Sequence, residues 1–141
     1  MQTHNHMWWL MPREWAAFRP QTLPIITVRR DSWAVRALAD TGAQRSLIHP
    51  RLLLQLGVPT HGELPLVGLG GPMLRVPRVQ LEGFSVARHP LQTFEAGVVN
   101  MDHLRLGIDL ILGINAFVGY RLQFDFTAGR LYLLAEQVRS A

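Results

Sequence analysis

The chain contains no cysteine and no lysine. The first absence removes disulfide frameworks, thiol nucleophiles, iron–sulfur clusters and cysteine-ligated zinc. The second removes lysine Schiff bases and the lysine of phosphate-binding loops, because all 14 basic residues are arginine. Long apolar runs are missing too. The longest early one, Met7-Trp8-Trp9-Leu10-Met11, falls far short of the ~20 residues of a membrane span, and no basic residue precedes it as a signal peptide requires. The expectation is a soluble, cytoplasmic protein with no membrane partner. There is no internal repeat and no low-complexity tract.

What is present fits one compact domain: 141 residues, 48% of them hydrophobic and 17% charged. Ten acidic residues leave a formal charge of +4 and a pI near 11.0, a balance that raises the question of nucleic acid. The arginines answer it by their distribution. They stand singly from Arg13 to Arg139, with Arg29-Arg30 the one adjacent pair, and no basic run is interleaved with aromatics. No nucleic-acid partner is expected; a nucleic-acid-binding domain would instead show steeply salt-dependent binding to any oligonucleotide.

Residues 1–22 read as an N-terminal arm, with His4, His6, Trp8, Trp9, Trp15 and a helix-like piece from Pro12 to Phe18 stopped by Pro20. Residues 23–141 form the domain. Leu23 to Val28 and Trp33 to Ala39 are β-rich and read as a hairpin turning at Arg30-Asp31. Pro50 at a first helical position, leucines 52, 53 and 56, and the closing Gly57 predict one short helix. Val79 to Leu81 and Phe84 to Val86 follow as short strands, a spacing that indicates a closed or folded-over sheet. Strict alternation from Tyr120 to Phe126 places Tyr120, Leu122, Phe124 and Phe126 on one face, and Ala128-Gly129 turns the chain into Leu131 to Leu134 as a final hairpin.

Asp40-Thr41-Gly42 places a carboxylate at the end of an apolar strand where the backbone must turn. Alone, it is a weak signal that reads more readily as a turn whose aspartate bonds to its own backbone. Further on, Asp109-Leu110-Ile111-Leu112-Gly113 ends a second apolar strand in glycine, and Pro65 to Gly71 between them has the make-up of a mobile hairpin tip.

In that order these motifs resemble the retropepsin-like aspartic proteases, over about residues 23 to 134. Ala39-Asp40-Thr41-Gly42-Ala43 resembles the catalytic motif, Val67-Gly68-Leu69-Gly70-Gly71 the flap, Ile111-Leu112-Gly113 the second motif, and Phe124-Asp125-Phe126 to Leu133 the closing hairpin. The resemblance implies an all-β fold with a closed, barrel-like sheet, one or two short helices and a flap hairpin, working as a homodimer. It implies Asp40 as the catalytic aspartate and Thr41 as the hydroxyl that locks the two active-site loops across the dimer. Leu69 would offer its backbone N–H to a water over the substrate. The sequence departs from the retroviral pattern at Gln44 and Ile114, where those enzymes carry an acidic and a basic residue that pair.

Peptide hydrolysis by aspartates needs two carboxylates about 3 Å apart sharing one proton, one as base on water and one as acid on the carbonyl oxygen. The chain offers one suitable aspartate, so a two-fold homodimer would bring Asp40 beside its own copy. Gly42 allows the close approach of the loops. Substrate contacts are expected from Leu38, Ala43, Leu47, Val67, Gly68, Leu69 and Ile111, favouring hydrophobic residues at the cut, although Leu38, Leu47 and Ile111 read equally as core. The peptide would add as a strand to the flap. His49, His61, His89 and His103 lack a partner in ligand spacing, so no metal and no cofactor is expected. The reading is an aspartic endopeptidase; the alternative is a catalytically silent dimerisation or peptide-binding module on the same fold.

Overall fold

The computed structural model describes residues 15–67 and 71–136. Alternating apolar residues build a hairpin from β2 (Ile25–Arg30) and β3 (Trp33–Ala39), turned at Asp31-Ser32, with Arg30 opposite Trp33 and Ile25 opposite Leu38. Ile26, Val28, Val35, Ala37 and Ala39 point into the main core, so the intervening residues face outward. After β4 (Ser46–Ile48) comes helix α1 (Pro50–Leu56). Its start is fixed by His49 Nδ1, which accepts the Arg51 N–H at 3.0 Å, and by Pro50. Gly57 closes it in the left-handed region, donating its N–H to Leu53 O at 3.0 Å, as the sequence predicts.

The chain then forms β5 (Glu63–Leu66), β6 (Leu74–Leu81), β7 (Ser85–Val86), β8 (His89–Pro90), β9 (Phe94–Val98) and β10 (Leu110–Leu112). Short 3-10 turns at Asp102–Leu104 and Ile114–Ala116 flank β10. The final hairpin is β11 (Tyr120–Asp125) and β12 (Arg130–Ala135). Asp125 Oδ1 holds its turn by accepting the N–H groups of Thr127 and Ala128 at 3.1 and 2.9 Å.

Two sheets result among the described residues, in the orders β1-β12-β11, where β1 is Trp15–Ala17, and β5-β6-β9-β4-β10-β3-β2-β7-β8. Among the described residues the protein is mostly β with one α-helix, as expected. Two expectations are corrected. The nine-stranded sheet is not a closed barrel: β5 and β8 are its free ends. The N-terminal half of β6 leaves the sheet to pair with β5, Leu66 opposite Leu74, while its C-terminal half pairs with β9. The edge thus projects as a hairpin instead of curling back to β8. The second correction concerns Pro12 to Phe18. Its described part is strand β1 (Trp15–Ala17), which adds to the edge of β12, Trp15 opposite Tyr132, with the Arg130 guanidinium over the Trp15 ring at 4.3 Å. The short strand expected at Phe84 to Val86 is β7, and its Ser85 pairs with Arg29 of β2. No helix among the described residues is long and apolar enough to cross a membrane.

Candidate active site

The site is built on three strands. β3 and β4 are consecutive in the chain, yet β10 lies between them, parallel to β3 and antiparallel to β4. The segment joining β3 to β4, Asp40 to Arg45, therefore has to cross the end of β10 beside the turn that starts at Gly113. The two turns are bonded edge to edge: Asp40 N–H donates to Leu112 O and Ile114 N–H to Ala43 O, each at 2.8 Å, and Asn115 N–H to Gln44 O at 3.3 Å. A Cβ at position 113 would lie 2.5 Å from Arg45 O and 2.7 Å from Ala43 O, so this crossing requires glycine.

Asp40 stands half-buried at that crossing. Its Oδ1 accepts the Gly42 N–H at 3.0 Å, the local bond of an ordinary aspartate turn, and a Cβ at Gly42 would stand 3.2 Å from the same oxygen. Oδ2 has no hydrogen-bond partner among the described residues. The carboxylate opens on a cleft of about 370 Å³ lined by Leu23, Pro24, Leu38, Ala39, Asp40, Thr41, Phe124 and Phe126. Among the described residues of this apolar wall Asp40 is the one ionisable side chain. Thr41 is exposed, its hydroxyl unbonded among the described residues.

The expected apolar contacts fall partly together. Ile111 is register partner to both Leu38 and Leu47, so the three make one row across β3, β10 and β4, on the face away from the main core. With Met101 and Ile108 they form a second, smaller apolar cluster. Leu38 alone of the three also lines the cleft. Ala43 contributes backbone to the crossing rather than surface to the cleft. Val67 is 77% exposed at the end of β5, and Gly68 and Leu69 lie outside the described residues, as do His4, His6, Trp8 and Trp9 of the arm.

Several groups at or near the site carry no local signal in the sequence. Phe124 and Phe126 read as one face of a strand, but they stack at 5.7 Å and wall the cleft. Behind the crossing, fully buried Ser46 donates to Asn115 Oδ1 at 2.8 Å and accepts the Gly113 N–H at 3.0 Å, while Asn115 Nδ2 donates to Glu95 O at 2.7 Å. The Glu95 carboxylate takes Arg45 at 2.8 Å and Arg78 of β6 at 3.8 Å. At the opposite end of β10, Arg51 donates to Asp109 at 2.6 Å; that bond and the Asp109 charge raise the guanidinium pKa. Buried His49 has Nε2 3.1 Å from Asp102 Oδ1, close but out of line for a hydrogen bond. The sequence shows no carboxylate partner for this histidine; the fold supplies one from a distant loop. Among the described residues no group of three or more His, Asp or Glu is placed to hold a metal ion.

A model of the aspartyl protease family matches residues 26–116, from β2 through the Asp40 turn, the β5–β6 hairpin and β10 to the turn after Gly113. The chain belongs to that family, one of the retropepsin-like clan. No curated protein matches it.

Proposed function

We propose that the protein is an aspartic endopeptidase whose working site forms between two copies of the chain, Asp40 of each supplying one carboxylate. The observation that carries this reading is the placement of Asp40. It is the single ionisable group of an apolar cleft, held at the crossing of two mutually bonded turns inside the segment that matches the family. Membership of an aspartyl protease family supports peptide hydrolysis, and the presence of one such aspartate per chain supports the dimer.

The chemistry follows from two carboxylates sharing one proton. The ionised one takes a proton from a water as its oxygen bonds to the scissile carbonyl carbon. The protonated one gives its proton to the carbonyl oxygen, forming a neutral geminal diol. Collapse of the diol breaks the C–N bond as the nitrogen is protonated, and the carboxyl pair ends with one proton, as it began. Thr41, exposed beside Asp40, is free to bond across the pair, and Gly42 lets the turns approach. Leu38, Phe124 and Phe126 favour apolar side chains at the cut, with Leu47 and Ile111 behind Leu38 in the same row. The β5–β6 hairpin, with exposed Val67, Met73 and Leu74, is the cover, offering backbone to an extended peptide through Val67, Gly68 and Leu69.

The test is cleavage of an unbiased peptide mixture, read by mass spectrometry between about pH 4 and 7, where a coupled carboxyl pair holds one proton. Cuts between hydrophobic residues in the wild type that disappear in Asp40→Asn are the expected result. Specific activity should also fall on dilution as the pair of chains separates. A wild type as blank as the variant would leave the silent peptide-binding module, which keeps its partner affinity when Asp40 is replaced.

A further inference from the structure

Serine at position 46 is one of two buried polar side chains in the described structure, and its exposure is zero. A hydroxyl in such a place has to be satisfied on both sides, and this one is, by Asn115 Oδ1 and by the Gly113 N–H. Asn115 is likewise used at both ends of its amide, taking Ser46 on the oxygen and giving its NH2 to Glu95 O. Its backbone N–H meets Gln44 O on the Asp40 side of the crossing. The chain of bonds therefore runs from β9, through the turn after Gly113, into β4, and back onto Gly113. The Gly113–Ile114 stretch is gripped from two directions, by Ser46 Oγ on one N–H and by Ala43 O on the next.

We infer that Ser46 and Asn115 are positioning residues for the reaction: together they set the height of the Gly113 turn, and through it the Asp40 turn that leans on it. Neither side chain lines the cleft. Their effect is on where the Asp40 carboxylate stands, hence on its distance from a second carboxylate, and not on how tightly a peptide is held. An interior strut of hydrogen bonds suits the task, because it has one satisfied geometry and each broken link leaves a buried donor or acceptor unpaired. Glu95 extends the same strut toward the cover, since its side chain also meets Arg78 of β6.

This role presupposes the peptidase reading of Asp40, and the experiment separates the two. Full-length wild type, Asp40→Asn, Ser46→Ala and Asn115→Asp are compared on one peptide that the wild type cuts, with melting curves recorded on the same samples. Ser46→Ala deletes the hydroxyl with little change of volume; Asn115→Asp keeps the acceptor for Ser46 and deletes the donor to Glu95 O. Both should remain folded, hold KM within about twofold and lose kcat by about 10- to 100-fold, the scale of a misplaced catalytic group. The limbs of the kcat–pH profile should move by about half a unit or more, because the coupling of two carboxylates depends on their separation. A merely structural role would lower kcat in proportion to unfolded protein and leave the profile in place; that result, or unchanged kcat, overturns the inference while the peptidase reading stands. If Ser46→Ala does not fold, Asn115→Ala, at a half-buried position, is judged by the same readings. A wild type as inactive as Asp40→Asn overturns the peptidase reading and this role with it.

Discussion

The strands under Asp40 and the β5–β6 hairpin are made of similar residues and are built in opposite ways. In β10, Leu110 and Leu112 are fully buried and Ile111 nearly so, and both turns at its end are tied by backbone bonds. In the β5–β6 hairpin Leu64 is buried, but Leu74 is 60% exposed, Met73 58% and Val67 77%, and the ion pair that links its two strands, Arg75 with Glu63, spans 3.6 Å between exposed side chains. Exposed pairs of that kind contribute little. Apolar residues thus serve rigidity in one place and remain open for contact in the other. A general acid–base pair needs its geometry fixed before substrate arrives, whereas a cover must open to admit a peptide.

The sharpest way to break this comparison is to remove the acid from the rigid half. Asp40→Asn keeps the size of the side chain and should lower cleavage by at least about 10³-fold with the melting temperature little changed. A variant with residual wild-type-like cutting would move the chemistry elsewhere. Next in size is a matched pair of truncations followed by chemical denaturation. Leu112→Ala opens a cavity at a fully buried position and should cost about 2–5 kcal/mol, whereas Leu74→Ala, on the exposed hairpin, should stay within about 0.5 kcal/mol. Equal losses would mean that the hairpin is packed in the working protein as firmly as β10. Gly113→Ala probes the crossing itself. Its Cβ meets two backbone carbonyls, which cannot rotate away as a side chain would, so a cost of about 1–3 kcal/mol is expected together with loss of activity.

The two halves also differed in how much the sequence disclosed. The crossing was legible because each of its turns is local: an Asp-Thr-Gly after one apolar strand and a glycine after another. The helix was legible for the same reason, its proline and glycine lying at either end. Ser46 and Asn115 were not, since each looks ordinary beside its neighbours and their bond spans 69 residues. The only hint was a polar residue set within the apolar run Ile111 to Phe117. Strand β1 was misread as helical because three residues carry no period, and its strand form depends on β12 from the far end of the chain. The cleft walls Phe124 and Phe126 were recognised as a face, but which cavity a face looks into is a property of the assembled sheets.

A third region, the seam where the small sheet meets β8 at the other end of the large sheet from the hairpin, yields the smallest effect. Tyr120, at the start of β11, donates its hydroxyl to Pro90 O of β8 at 2.6 Å, and burial raises its pKa above the ordinary phenol value. In the folded protein the phenol therefore keeps its proton to higher pH than in the unfolded chain. Above the unfolded value of about 10 the unfolded state binds fewer protons, so stability falls as pH rises; below it the contribution is fully present. The absence of lysine and cysteine makes this readable, because no ammonium side chain or thiol changes charge in the same range. Tyr120→Phe should cost about 0.5–1.5 kcal/mol at neutral pH through the lost hydrogen bond. It should also flatten the decline in melting temperature between about pH 9 and 11. A decline as steep in the variant as in the wild type would remove Tyr120 from the alkaline sensitivity and leave the seam as a packing contact alone.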